Sequence, residues 1–342
     1  MRDRHALEAL GGNFTEEIVW ALRKRRGDPT GVGFKSTKKL AAGMAPIRTN
    51  TKLLHSEYNP VPKDQRLENT KVEIFDNGYA KVFVGDSKEG WVESLRTYFN
   101  LLTKPEYENI HTIKISYNSV RPKGERLLTF GGTASGPEPL REMYEGIDKV
   151  LKNQIDPELA PIETDEKGYG HVRPIHIMDI GNLVGAGVVV GGVRRTAELF
   201  LMDPDDHETM LAKYGLNGFW KEEHFKNHER VRKLLVKNGI KVPKWFDELG
   251  VRHYDENVNK DYITGEPNRE ADGSLCPYNF GRSGINHRRM SNNSVAFEHK
   301  PTKEMLDLQF AMLQGEGEPC FVNLEEARRR RPNAEGLNPC VR

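Results

Sequence analysis

The parts of this 342-residue sequence that can do chemistry are three cysteines, a glycine-rich loop carrying hydroxyls, and a pair of adjacent arginines. Cys340 stands in Gly336-Leu337-Asn338-Pro339-Cys340. Proline narrows the backbone of that turn, so the sulfur can sit at a loop tip, where a positioned thiol serves as nucleophile or radical carrier. An incidental thiol fits the same residues. Cys276 and Cys320 read as small buried or incidental thiols. In Phe130–Pro137 (FGGTASGP), Gly131 and Gly132 let a ligand approach the backbone, and Thr133 and Ser135 supply hydroxyls. The helix that follows adds free N–H groups and a partial positive charge. A phosphate or nucleotide contact suits this set; a tight, capped turn into a helix explains it as well. In Gly191–Thr196, Gly192 loosens the backbone beside Arg194 and Arg195. Guanidiniums suit bidentate phosphate recognition, with structural ion pairs as the alternative.

Other motifs carry less. Gly185-Ala186-Gly187 with Gly191 misses the dinucleotide fingerprint by one position and falls between a helix and a strand rather than after a strand. Close packing of a buried helix accounts for these glycines. Arg328–Arg331 reads as a solvated helix end. His224 and His228 share a helix face, but no third ligand stands near, so no metal site is expected.

The elements that must position these residues are mixed. Lys71–Phe75 and Tyr79–Val84 flank Asp76-Asn77-Gly78, which predicts a hairpin. Asp86-Ser87 caps a helix starting near Lys88, with Trp91, Leu95, Tyr98, Phe99 and Leu102 at helical spacing. His111–Tyr117 alternates as a strand, a helix follows Pro137, Ile175–Val190 reads as a buried helix, and Val193–Met202 alternates like a strand. The pattern resumes at Ser294–Phe297, with a helix near Lys303–Leu313 and a strand at Phe321-Val322. This interleaving is α/β. The expected domains are a polar N-terminal segment (1–65), a first α/β part (66–204), a charged insertion (205–287) and an α/β continuation (288–342).

Lys and Arg number 51 against 50 Asp and Glu, a net charge of +1. That balance argues against a general nucleic-acid or membrane-surface binder. Three cysteines in so long a chain exclude a disulfide scaffold and fit a reducing, cytoplasmic setting. No apolar run is long enough to span a bilayer.

Seven separated segments together resemble one family: DSKEGW (86–91), VRPKG (120–124), FGGTASGPEPL (130–140), GGVRRTAE (191–198), MSNNSV (290–295), GEP (317–319) and NPC (338–340). In order and spacing they resemble the catalytic subunit of ribonucleotide reductase, closest to the adenosylcobalamin-dependent class II, ribonucleoside-triphosphate type. The resemblance covers about 86–204 and 288–340. It implies part of a ten-stranded α/β barrel with a finger loop in its centre. It implies that Cys340 carries the thiyl radical that takes the ribose 3′-hydrogen, and that Asn338 hydrogen-bonds the substrate. Gly131, Gly132, Thr133 and Ser135 would lie near the ribonucleotide. Gly192, Arg194 and Arg195 would begin the loop between effector and substrate. The implied cofactor is adenosylcobalamin. The implied partners are a ribonucleotide, a dNTP or ATP effector and a thioredoxin-like reductant, with no nucleic acid and no membrane.

The departures are as informative. The family continues Asn-Pro-Cys with Gly-Glu, the glutamate being its general base; Val341 and Arg342 stand there instead. The family's reducing pair needs a cysteine on an early strand, and none precedes Cys276. At Cys320 the family has glycine. The expectation is therefore an incomplete reading frame, or one half of a gene interrupted at this motif, by an intein among other routes. A non-catalytic nucleotide-binding module, or a piece of a class I or III reductase, is the competing reading.

Overall fold

The computed structural model describes residues 32–127, 132–187, 189–190, 193–194 and 197–336. They divide into two compact units. One takes the described residues up to Phe200 together with Glu335 and Gly336; the other is Leu201–Ala334.

The first unit contains β1 (Val32–Ser36), α1 (Lys38–Ala42), β2 (Ile47–Arg48), β3 (Lys52–His55), β4 (Lys71–Phe75), β5 (Tyr79–Phe83), α2 (Lys88–Thr103), β6 (Thr112–Ser116), α3 (Glu138–Leu151), β7 (Tyr169–Gly170), α4 (Pro174–Gly187), β8 (Val189–Val190) and β9 (Val193–Arg194). Its main sheet has the order β3-β6-β5-β4. β3 and β5 both run parallel to β6, and β4 pairs antiparallel with β5. Phe75 pairs with Tyr79, so Asp76, Asn77 and Gly78 form a three-residue loop. Gly78 takes φ +74° there, and a Cβ on it would meet the His111 ring at 2.6 Å. The predicted hairpin is present.

A connection between the parallel strands β5 and β6 needs a crossover, and α2 supplies it. The Ser87 hydroxyl caps α2 by accepting from the Gly90 N–H at 2.8 Å. Val92, Leu95, Phe99 and Leu102 form its buried stripe, and Ile113 and Ile115 of β6 are buried too. Arg48, 4% exposed, ties the far end of α2 down. Its guanidinium donates to the carbonyls of Leu101, Tyr107, Glu108 and Ile110. These satisfy acceptors that a helix end and the following turn leave open.

α3 packs on α4 through small residues: a Cβ on Gly146 would meet Leu183 at 2.6 Å. On α4, a Cβ on Gly185 would meet the Glu198 carboxylate at 2.1 Å. Of the glycines that imitate a dinucleotide fingerprint, Gly185 is thus a close-packing position, Gly187 has ordinary contacts, and Gly191 lies outside the described residues. β10 (Glu198–Met202) carries the chain into the second unit. All five of its residues are buried, not alternate ones, as expected of a strand covered on both faces.

The second unit contains α5 (His207–Met210), α6 (Glu222–Lys237), α7 (Lys244–Leu249), β11 (Ser291–Phe297), α8 (Lys303–Glu316), β12 (Cys320–Asn323) and α9 (Leu324–Arg330). β11 and β12 are parallel, with Ser294 opposite Cys320, and α8 connects them. Gly317 ends α8 in the left-handed conformation, φ +76°. One core serves both the charged segment 205–287 and the α/β segment after it. Phe225, Leu235 and Phe246 pack in it with Val295, Leu308 and Met312.

Candidate functional site

Parallel α/β sheets gather ligands beyond the carboxyl ends of their strands. In the first unit those ends are His55, Phe83 and Ser116. Three of the singled-out segments meet there. Asp86, just after β5, accepts from the main-chain N–H of Arg121 at 3.0 Å and from its Nε at 2.9 Å. Arg66 lies between two carboxylates. It donates bidentately to Glu125 at 2.8 Å on each oxygen, and to Asp86 at 3.4 Å. Bidentate hydrogen bonding from Arg66 holds the Glu125 carboxyl below the usual range.

The next segment folds back onto this frame. The Leu127 N–H donates to the Gly132 carbonyl, the Ala134 N–H to Glu125, and the Gly124 N–H to Ala134. Thr133 bridges Arg126 in the same antiparallel ribbon. Gly124 and Gly132 have φ of +89° and +79°, and a Cβ on either would meet nothing. Both therefore present bare backbone to open space. Thr133 is exposed and Ser135 half-buried. Neither hydroxyl is hydrogen-bonded among the described residues. The helix after them offers less than the sequence suggests: Pro137 and Pro139 lack N–H groups, leaving Glu138 and Leu140 as donors in the first turn. The ribbon can accept a polar, hydroxyl-bonded ligand, with the exposed Lys123 and Arg126 beside it.

Next to this frame, His55 Nδ1 and the Tyr117 hydroxyl are 2.8 Å apart, and His55 Nε2 lies 3.8 Å from Glu145. Burial lowers the His55 pKa, against the pull of Glu145.

In the second unit, MSNNSV and GEP are brought together by Lys213, which no motif reading flagged. Its ammonium lies 2.5 Å from Glu318 Oε2 and donates to the Ser291 carbonyl at 2.7 Å. The Asn293 N–H donates to the same Glu318 oxygen at 3.3 Å, and the Ser291 hydroxyl bonds Asn293 Oδ1 at 2.8 Å. Glu316 accepts from the Gly215 N–H at 3.0 Å. Burial raises its pKa. Cys320, at the start of β12, is exposed. The partial burial that remains pushes its thiol pKa up, and Glu318 adds to that.

The two histidines do not act together. His224 Nδ1 accepts from the Trp220 N–H at 3.0 Å, whereas His228 lies under Phe246 with ring centres 4.3 Å apart. The arginine run ends α9: Arg329 and Arg330 both pair with Glu326. Of the other sequence candidates, Gly131, Gly192, Arg195, Asn338 and Cys340 lie outside the described residues, and Arg194 is described as part of β9 alone.

Residues 58–151 match the family described as B12-dependent ribonucleotide reductase, insertion domain. A reductase of Lacticaseibacillus paracasei, named adenosylcobalamin-dependent ribonucleoside-triphosphate reductase, is 31% identical over 194 residues. This chain is a relative of the adenosylcobalamin-dependent ribonucleotide reductases. The L. paracasei alignment takes in 54% of this chain and 24% of that reductase. A Euglena gracilis reductase of the same name is 36% identical over 141 residues, 40% of this chain and 17% of its own. The chain thus spans about a quarter, or less, of the curated reductases it matches. A crystal structure titled as a B-12 dependent (class II) ribonucleotide reductase shares the fold with TM-score 0.55 and 20% identity, covering 96% of this chain and 36% of that one. The family match begins at residue 58, inside the N-terminal stretch that the motifs leave out, and the likeness in fold also takes in most of 205–285.

Proposed function

We propose that this chain is part of a reductase that converts ribonucleotides to 2′-deoxyribonucleotides by a thiyl-radical route. The observation that carries it is the insertion-domain match over 58–151, on which the 86–91 and 120–124 segments and the described part of 130–140, from Gly132 on, meet at one end of a parallel sheet. On this reading Cys340 carries the radical and Asn338 hydrogen-bonds the substrate. Gly131, Gly132, Thr133 and Ser135 contact the nucleotide, and Gly192, Arg194 and Arg195 begin the effector loop. A dNTP or ATP is the effector and a thioredoxin-like protein the reductant. On this reading the parallel strands β11 and β12 of the second unit belong to the expected ten-stranded barrel.

When bound, adenosylcobalamin supplies the radical by homolysis of its cobalt–carbon bond. Among the described residues, the groove of about 550 Å³ between α6 and α8 is lined mostly by charged side chains and does not fit a corrin. What the described residues do is position. Asp86 and Glu125 fix Arg66 and Arg121, and these set the ribbon whose bare glycines and open hydroxyls face outward.

A second reading is a nucleotide-binding module without turnover. It is favoured by Val341 and Arg342 where the family has Gly-Glu, and by the lack of any cysteine before Cys276. One experiment separates the two. The 342-residue chain is titrated with ribonucleoside triphosphates and dNTPs by calorimetry, then incubated with adenosylcobalamin and a dithiol, with deoxyribonucleotide measured by chromatography. Product that disappears in Cys340→Ala supports the reductase. Nucleotide binding without product supports the module. Absence of both overturns each.

A further inference from the structure

The groove between α6 and α8 has fixed walls. Asn227, near one end, donates to the Ala311 carbonyl at 2.9 Å, and Asn238, at the other, donates to the Glu304 carbonyl at 3.2 Å. These two side chains tie the helices together on either side of the cleft. A Cβ on Gly315 would meet the Asn227 amide nitrogen at 2.7 Å, so α8 carries no side chain where that clamp reaches it. The volume of about 550 Å³ lies within the range of small-ligand sites.

The charge in the groove is unbalanced. Its lining holds four cations, Lys226, Arg230, Lys233 and Lys303, against two carboxylates, Glu229 and Asp307. Both carboxylates are engaged, Glu229 with Arg252 at 2.9 Å and Asp307 with Lys303 at 2.8 Å. Lys233 acts on Glu229 through charge alone. Neither Lys226 nor Lys233 forms an ion pair among the described residues. Arg230 donates across the cleft to the uncharged Gln314 amide oxygen at 3.2 Å. Lys226, Arg230 and Lys233 stand at i, i+4 and i+7 of α6, so they share one helix face over about 10 Å. Like charges at that spacing repel and weaken a helix. An anion with several charges close together turns the same repulsion into attraction.

We propose that this groove binds a short phosphate chain, of the inorganic polyphosphate class, held by Lys226, Arg230 and Lys233. The ammoniums serve as point charges, and the guanidinium can bond two phosphate oxygens at once. Among the lining residues none is aromatic, so a nucleobase has no ring to stack on. Leu234 is the one apolar side chain in that lining, too little to anchor an acidic peptide. The site lies within the second unit, so it stands whether or not the chain is part of a reductase.

The test is calorimetric titration of the 342-residue chain with sodium tripolyphosphate, at about 50 mM and about 500 mM salt. The expected result is saturable one-to-one binding whose Kd weakens at least about tenfold at high salt. Lys226→Gln/Lys233→Gln, and separately Arg230→Gln, should each weaken binding by about tenfold or more at low salt. Without ligand their melting temperatures should be unchanged or higher, because like charges have left one helix face. Lys260→Gln, an exposed lysine outside the groove, should bind as the parent does. In the unsubstituted chain, tripolyphosphate should protect the Lys226 and Lys233 amines from peptide-resolved acetylation and leave Lys260 as reactive as before. ATP and GTP should bind the groove no more tightly than tripolyphosphate does. No saturable binding at low salt, binding indifferent to the groove variants, or acetylation unchanged at both lysines would overturn the proposal. So would a groove that prefers a nucleotide or an oligo-aspartate peptide to tripolyphosphate.

Discussion

Replacing Lys213 by Met tests whether the ion pair holds MSNNSV and GEP together. The ammonium contacts Glu318 and the Ser291 carbonyl, and the two side chains are 15% and 20% exposed. Removing one partner of a fully buried pair costs about 3–5 kcal/mol. Partial exposure screens this pair, so about 2–3 kcal/mol is expected for Lys213→Met. Glu318→Gln keeps an acceptor for the Asn293 N–H and should cost about 1–2 kcal/mol. If the two act as a pair, the double variant should cost about 1.5 kcal/mol less than the sum of the single ones. The assay is urea unfolding followed by tryptophan fluorescence, since Trp245 lies in the core of the second unit. Additivity within about 0.5 kcal/mol would refute the coupling. A second readout is independent of stability. Burial raises the Cys320 thiol pKa, Glu318 raises it further and Lys213 opposes them. Peptide-resolved alkylation of Cys320 should therefore slow in Lys213→Met and quicken in Glu318→Gln; equal rates in all three would count against the arrangement.

Three more outcomes follow from the geometry. Burial pulls His228 down from 6.5 to about 4, so the folded chain disfavours the imidazolium. Its contribution to stability is full above pH 6.5 and is lost as pH falls towards 4, on the order of 3 kcal/mol in all. Unfolding measured across that window should be flatter in His228→Phe than in the parent. Gly185→Ala should gain up to about 1 kcal/mol in helix propensity. The new methyl would sit 2.1 Å from the buried Glu198 carboxylate, so overpacking of about 1–3 kcal/mol outweighs the gain and the melting temperature falls. A rise would show that Glu198 moves aside freely. Asp86→Asn takes the charge from the hydrogen bonds to Arg121 and Arg66, worth about 1–2 kcal/mol locally. Exchange of the Gly124, Leu127 and Ala134 amides should quicken roughly 5–30-fold, while the α2 amides stay as protected as before.

Local signals carried much of the fold. Asp76-Asn77-Gly78 located a hairpin because a three-residue loop ending in a left-handed glycine is a short-range requirement. Ser87 located a helix start because its hydroxyl meets an N–H three residues on. The site was less legible. Arg66 and Glu125 are 59 residues apart, and no periodicity joins them. Lys213 and Glu318 are related only through the folded second unit. The FGGTASG segment was legible as a flexible loop but not as a ribbon, because its partners at 124–127 supply the pairing. The alternation expected in Val193–Met202 gave way to complete burial in β10, which follows from what covers the strand rather than from its own sequence.

Arg48 has a consequence for how the chain reaches this state. It is synthesised 53 to 62 residues before the carbonyls it serves. Until those acceptors exist, its charge must stay in water, because burial without partners is prohibitive. At the last turn of α2 the Lys104 N–H meets the Asn100 carbonyl locally, but the Leu101 carbonyl waits for Arg48 on a long-range loop closure. Amide protection at the end of α2 should thus arise in the same kinetic phase as docking of the Ile47–Arg48 segment, later than protection at its Ser87-capped start.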